Sequence, residues 1–331
     1  MRNLSDIRFS ILELASIREG QSTQATLEHT LQLAQYAEQL GYYRMLLAEH
    51  HNMSGIASSA TSVLLTYLLS NTKHITLGSG GVMLPNHAPL VVAEQFGTMA
   101  TLFPNRVVLG LGRAPGTDPI TMRALRRGHQ ASEDQFPQDV LEILQYFKTP
   151  RPNQQIIATP GQNTHVPVLL LGSSLFSAQL AAQLGLPYAF ASHFAPRFLE
   201  EAIKLYRENF QPSEYLDQPY IAIGVPTVVA QTDEEAQFLA TTAYQRILAL
   251  FHGQSLKLKP PVPSMKGLWS VDEQQAVHNF YRLAQIGSIE TVQHGLQRLA
   301  DQLAVDEFIF TCDIYDMQKR LNNFRYLIEM K

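Results

Sequence analysis

Residues 75–116, ITLGSGGVMLPNHAPLVVAEQFGTMATLFPNRVVLGLGRAPG, constrain this chain more than any other stretch. They read as a strand ending in Gly80-Gly81, a helix, and a second strand running out into Gly110-Leu111-Gly112-Arg113. Pro85, His87 and Pro89 punctuate the approach to the helix, which carries Val91, Ala93, Phe96, Met99 and Leu102 at helical spacing. Pro104-Asn105 closes it, and residues 106–111 form a short, mostly apolar run suited to a parallel strand buried on both faces. Two strands joined by a helix in so few residues make a βαβ unit. Both strands end in glycines, at the edge where such folds take ligands.

The unit repeats along the chain. Further strands are predicted at residues 7–14, 44–48, 166–171, 187–192, 220–230 and 306–312. Helices are predicted at 23–40, stopped by Gly41, and at 61–69, 132–147 and 197–210, with another ending at Leu184 before Gly185. Thr232 and Glu235 form a capping box for a helix reaching Phe251, and Ser270 with Glu273 forms a second. One more helix follows Gly287, and residues 316–330 close the chain. Eight strands, each followed by helix, predict one (β/α)8 TIM barrel spanning residues 1–331, with insertions after strands 4 and 7. The rival is a doubly wound open sheet, whose reversal of strand order leaves no mark in sequence spacing. Residues 152–167 show no period and read as an insertion. Residues 252–269, proline-rich and carrying Lys257, Lys259 and Lys266, read as either an active-site lid or a disordered loop.

Composition narrows the partners. With 331 residues, 45% of them hydrophobic, a core of this size is available, and a net charge of −4 provides no basic footprint for nucleic acid or anionic membrane. The single cysteine, Cys312, cannot close an intrachain disulfide and suits a reducing compartment, where it reads as a small buried hydrophobe. The N-terminus runs directly into a strand without the apolar stretch of a signal peptide, and no apolar run is long enough to cross a bilayer. A cytoplasmic protein is expected.

In such a barrel, chemistry gathers on the loops after the strands. Those positions hold Glu49-His50-His51, Gly80-Gly81, Gly112-Arg113, Gly172-Ser173-Ser174, His193 and Cys312-Asp313. Gly172-Ser173-Ser174 opens a helix, so its amides, the helix dipole and two hydroxyls would hold a phosphate, with Ser177 one turn on and Arg113 closing from strand four. The competing reading is an ordinary serine N-cap. Gly110, Gly112 and Gly116 make only a partial dinucleotide fingerprint, better explained as a tight turn around Arg113. Adjacent side chains on a strand face opposite ways, so at most one of His50 and His51 points at a given ligand, and a histidine there suits proton transfer. No HExxH occurs, yet His50, His87, His193 and Asp313 could share the rim, which leaves a metal-dependent hydrolase as an alternative.

The stretches LAEHHNMSGIASSA, GSGGVMLPNHAPLVVAEQFGTMATLFPNRVVLGLGRAPGTD, LGSSLFSAQLAAQLGLPYAFASHFAP and IGSIETV resemble the bacterial luciferase-like flavin monooxygenases, in particular their single-chain group of uncertain substrate. The resemblance implies a (β/α)8 barrel that binds FMN at the C-terminal rim, as reduced FMN from a separate flavin reductase, and uses O2 to oxygenate a small organic substrate. It implies that Ser174 and Ser177, with Arg113, grip the FMN phosphate, and that Gly172 and Ser173 belong to the same loop. It places Gly80-Gly81 at the family's non-proline cis peptide against the flavin ring. It makes His50 the proton-transfer residue and Glu49 its neighbour on the flavin side, with residues 252–269 as a lid. A homodimer is implied, and F420 as an alternative cofactor on the same barrel. Two departures stand out. Gly112 occupies the place of the luciferase's reactive cysteine, so light emission from an aldehyde is not implied. The second phosphate arginine is missing from residues 132–135, so weaker phosphate binding is expected unless Arg126, Arg127 or a lid lysine substitutes.

Overall fold

The architecture comes from a computed structural model and is described for residues 3–114, 116–125 and 133–331. Eight parallel strands form the barrel: β1 (Arg8–Glu13), β2 (Arg44–Leu47), β3 (Thr76–Ser79), β4 (Val107–Gly112), β5 (Val168–Gly172), β6 (Tyr188–Phe190), β7 (Ile221–Ala230) and β8 (Glu307–Thr311). Neighbours in sequence are neighbours in the ladder, and β8 pairs with both β7 and β1, which closes the ring. That closure excludes the open doubly wound sheet. Helices α1 (Thr23–Leu40), α2 (Thr61–Ser70), α3 (Pro89–Leu102), α4 (Pro119–Leu125), α5 (Phe136–Phe147), α6 (Leu175–Leu184), α7 (Leu199–Asn209), α8 (Asp233–Phe251), α9 (Val271–Phe280), α10 (Ile289–Leu303) and α11 (Met317–Glu329) separate the strands or follow the last.

Strand alternation divides the core in two. Inward-facing Leu12, Leu46, Ala48, Val108, Leu169, Ala189, Ala222 and Ile309 fill the barrel, and their mixture of small and branched side chains leaves no pore. Outward-facing Phe9, Ile11, Leu47, Leu109, Phe308 and Phe310 pack under the helices in a much larger cluster. The barrel floor is polar. Arg44 donates to both oxygens of Glu307 at 2.8 and 2.5 Å, and the Tyr220 hydroxyl donates to the same carboxylate at 2.8 Å.

Local signals set the helix ends. Gly41 and Gly185 take the left-handed conformation at the ends of α1 and α6. The Ser270–Glu273 capping box is complete, whereas Thr232 caps α8 and the Glu235 carboxylate reaches back to Gln231 instead.

Several expectations need correction. A short strand, Val82–Met83, pairs with the end of β4, and another, Gln285–Ser288, pairs with the outer half of β7. β7 is therefore two strands in one, with its first half in the barrel and its second carrying a flap outside. The basic segment after β4 contains α4, and residues 126–132, with Arg126 and Arg127, lie outside the described residues. Residues 252–269 form a fastened strap. Leu258 donates to the Ile17 carbonyl at 2.9 Å and accepts from the Glu19 amide at 2.8 Å, Thr242 bonds to the Lys259 carbonyl, and Leu258 and Met265 are buried. Among the described residues no helix is long and apolar enough to cross a membrane.

Candidate functional site

The C-terminal rim of the barrel carries two corners. The first is built by β3, β4 and β5. The Ser79 hydroxyl donates to the Gly110 carbonyl at 2.8 Å and accepts from its amide at 3.0 Å, clamping β3 against β4. The Gly80–Gly81 peptide that follows is cis. A Cβ on Gly81 would stand 2.7 Å from the Gly110 carbonyl oxygen, and one on Gly110 would stand 2.2 Å from that of Ser79. The chain can approach this closely only without side chains.

Arg113 leaves the end of β4 and lays its guanidinium 4.3 Å from the ring centroid of Phe176, in the first turn of α6. This contact brings Arg113 to the loop Gly172-Ser173-Ser174. Ser174 is the N-cap of α6 in extended conformation, but its hydroxyl makes no capping bond. The ordinary capping role, which competes with phosphate binding, is therefore not what Ser174 does. Ser177 is buried, and its hydroxyl donates to the Ser174 carbonyl at 2.9 Å. A Cβ on Gly172 would lie 2.0 Å from that hydroxyl, so Gly172 makes room for Ser177, and Ser177 holds the loop from behind.

The second corner is built from histidines. Glu49 is 2% exposed, and its Oε1 accepts from His51 Nε2 at 3.0 Å and His87 Nε2 at 2.7 Å. Burial pushes the Glu49 carboxyl up, but these two hydrogen bonds and the nearby imidazoles outweigh it and hold it below the usual carboxylate range. His50 points elsewhere. Burial holds its imidazole below the ordinary value, the Gly116 carbonyl opposes this, and Arg246 reinforces it. Arg246 comes from α8 and is fixed by Asp313 at 2.5 Å and Ser16 at 2.9 Å. His50 Nδ1 is buried without a protein partner, as is His193 Nδ1. His193 lies in space left by Gly224 on β7, where a Cβ would stand 2.3 Å from Nδ1. Burial, and to a lesser degree His50, push the His193 pKa down to about 4.

The structure thus brings Gly80, Gly81, Arg113, Gly172, Ser173, Ser174 and Ser177 to one side of the rim. It places Glu49 and His50 on the strand-two loop beside them. It does not assemble His50, His87, His193 and Asp313 into the metal set of the hydrolase alternative; the cluster that does form among the described residues is Glu49, His51 and His87. Alternation along residues 49–51 already sets Glu49 and His51 on one side and His50 on the other. His87, already a candidate for the rim by sequence, arrives from α3's approach, whereas nothing local announces Arg246, which arrives from α8. The lysines of residues 252–269 sit on a strap fastened over the loops after β1 and β2, whereas Arg113 comes from β4 and the serines from the loop after β5.

Residues 7–311 match the family model described as luciferase-like monooxygenase. The chain belongs to the luciferase-like monooxygenase family. A luciferase-like monooxygenase of Escherichia coli strain K12 is 49% identical over 98% of this chain and 97% of its own length. An N-acetyl-S-alkylcysteine monooxygenase of Bacillus subtilis strain 168 is 31% identical over 97% of each. Among solved structures, apo-MsnO8 is 32% identical, covers 98% of both chains and superposes with a TM-score of 0.91. The fold alone is shared more widely, as two further structures show. One is the oxygenating constituent of 3,6-diketocamphane monooxygenase from Pseudomonas putida in complex with FMN, at 16% identity and a TM-score of 0.73. The other is an F420-dependent secondary alcohol dehydrogenase, at 15% and 0.70. Family membership makes this chain an oxygenase of the luciferase-like group.

Proposed function

We propose that this luciferase-like oxygenase binds FMN at the C-terminal rim and uses its reduced form, with O2, to oxygenate a small organic substrate. The observation that carries the reading is the pairing of Arg113 with the first turn of α6, beside a serine N-cap that leaves its own helix uncapped. A guanidinium, helix amides and a hydroxyl form the donor set a phosphomonoester needs. The side-chain-free surface at Gly80–Gly81 suits close approach of a flat ring. Bound reduced flavin supplies the electrons and the carbon framework on which O2 is activated.

The chain's own groups do the rest. Arg113 and the loop 172–174 bind the phosphate and so orient the ring system. Buried Leu12 and Leu46, with half-buried Leu171, line Gly80 and Gly81 and keep water from below. Glu49, on the flavin side of the strand-two loop, keeps its charge and orients His51 and His87. His50, held neutral by burial, has an unpaired Nδ1 lone pair that can take a proton at neutral pH. Residues 252–269 shield the mouth from the side of β1 and β2. On this reading the protein acts in the cytoplasm as a homodimer, on reduced FMN delivered by a separate reductase.

Titration with oxidised and then reduced FMN, followed by flavin absorbance and fluorescence, tests the cofactor. Saturable binding of FMN, tighter for the reduced form and coupled to O2 consumption, is expected. Indifference to both redox forms, with saturable binding of F420 and its single absorbance band, would overturn the reading in favour of hydride transfer.

A further inference from the structure

The Glu49 side chain is 3% exposed, yet one of its oxygens receives two imidazole nitrogens, His51 Nε2 at 3.0 Å and His87 Nε2 at 2.7 Å. All three atoms lie within 4.8 Å of one another. We propose that Glu49 Oε1, His51 Nε2 and His87 Nε2 form a binding site for a divalent first-row transition-metal ion, with Zn2+ the best match. Two imidazoles and one carboxylate are the donor set of open, three-ligand zinc sites, which keep a fourth position for water. Zn–N and Zn–O bonds of about 2.0–2.2 Å put tetrahedral ligand atoms about 3.3 Å apart. The two contacts seen here are a few tenths of an ångström shorter, so a metal could replace the shared protons with a small outward movement of the rings.

The ligands are also held for the purpose. The His51 carbonyl accepts from Thr117 Oγ1 at 3.0 Å, and the His87 amide donates to the Leu84 carbonyl at 2.9 Å. Glu49 follows β2 directly. The His87 side chain is 30% exposed, which opens a path to an otherwise buried carboxylate. A second histidine–carboxylate pair, His252 Nε2 with Glu273 Oε1 at 2.6 Å, lies on the surface with no third ligand among the described residues. It supplies a control within the same molecule.

The inference goes beyond the flavin reading and does not need it, because metal-free protein can be titrated with FMN separately. Tag-free, chelator-treated protein is titrated with Zn2+ by calorimetry and with Co2+ by visible d–d absorption. One equivalent is expected to bind, with the intense bands of a low-symmetry, low-coordinate Co2+ site. Because loss of an outer partner alone costs about 10–100-fold in metal affinity, removing a ligand by His87→Ala or Glu49→Gln is expected to cost about 100-fold or more. The His252→Ala variant should match the parent. Zn2+ should raise the Tm of the parent and leave that of His87→Ala unmoved. Should Glu49→Gln fail to fold, His87→Ala, altered at a partly exposed side chain, carries the test. Absence of binding by the parent, or one-to-one binding that survives His87→Ala, overturns the proposal.

Discussion

The two ends of this barrel are both closed by buried polar clusters, and the clusters are built in opposite ways. At the floor, Arg44 and Glu307 meet in a two-pronged ion pair, with the Tyr220 hydroxyl on the same carboxylate. Opposite charges face each other, and every named atom has a donor or acceptor. At the rim, Glu49 is shared by two histidines, while His50 and His193 each keep a buried nitrogen without a protein partner. A satisfied network rigidifies; an unsatisfied one costs free energy and persists where a ligand or a proton is to be exchanged. The floor of a (β/α)8 barrel works for stability and the rim for chemistry.

The sharpest way to break this contrast is at the floor. Arg44→Met leaves Glu307 buried without its cation, and a loss of about 3–5 kcal/mol in chemical denaturation is expected. Adding Glu307→Leu should recover most of that loss, with flavin binding intact in both variants. A single variant no less stable than the parent would show that the ion pair does not hold the floor.

At the rim the effect should move from stability to binding. Arg113→Ala should weaken FMN by about 10–100-fold, the equivalent of a charge-assisted hydrogen bond of about 1.5–3 kcal/mol. The same variant should stay within about 0.5 kcal/mol of the parent in unfolding. Equal affinity for FMN in a fluorescence titration would move the phosphate away from Arg113.

Gly224 lies on the boundary between the two behaviours. A methyl group there would meet His193 Nδ1 at 2.3 Å, so Gly224→Ala should cost about 1–3 kcal/mol as overpacking and displace the imidazole. A second substitution, His193→Ala, should relieve that strain. If the two costs simply add, the pair is not matched.

The smallest effect is a pH slope. His193 has its pKa pushed from an ordinary 6.5 down to about 4, so the unfolded chain takes up this proton first. The associated stability is present above about pH 6.5 and is lost as pH falls toward 4. Denaturation midpoints measured across that window should decline less steeply in His193→Phe. Parallel curves would mean that His193 is not held neutral.

The repeated βαβ rhythm was legible because parallel strands buried on both faces read as short apolar runs, and because capping residues mark helix ends. Gly80-Gly81, Arg113 and Gly172-Ser173-Ser174 were legible for a related reason: in this architecture the residues that follow strands line one rim. Their convergence followed once eight strands were counted. The short strand Gln285–Ser288 was missed because it carries no strand-like alternation and becomes a strand only by pairing with Thr227–Ala230. The strap at residues 252–269 was ambiguous because proline-rich, polar sequence is the same whether or not a neighbour offers it backbone partners. Ile17 and Glu19 offer them here.

Sequence alone thus determined the order of the eight barrel strands and the helices between them, the net charge of −4, and which residues would stand at the strand ends, since each depends on local periodicity, composition or chain neighbours. Only the tertiary structure decided that β8 returns to β1, that Glu49 is shared by His51 and His87 while His50 faces Arg246 and Gly116, and that Ser174 leaves α6 uncapped. Those outcomes depend on groups far apart in the chain meeting in a place that water has left, and no local pattern records which meetings will occur.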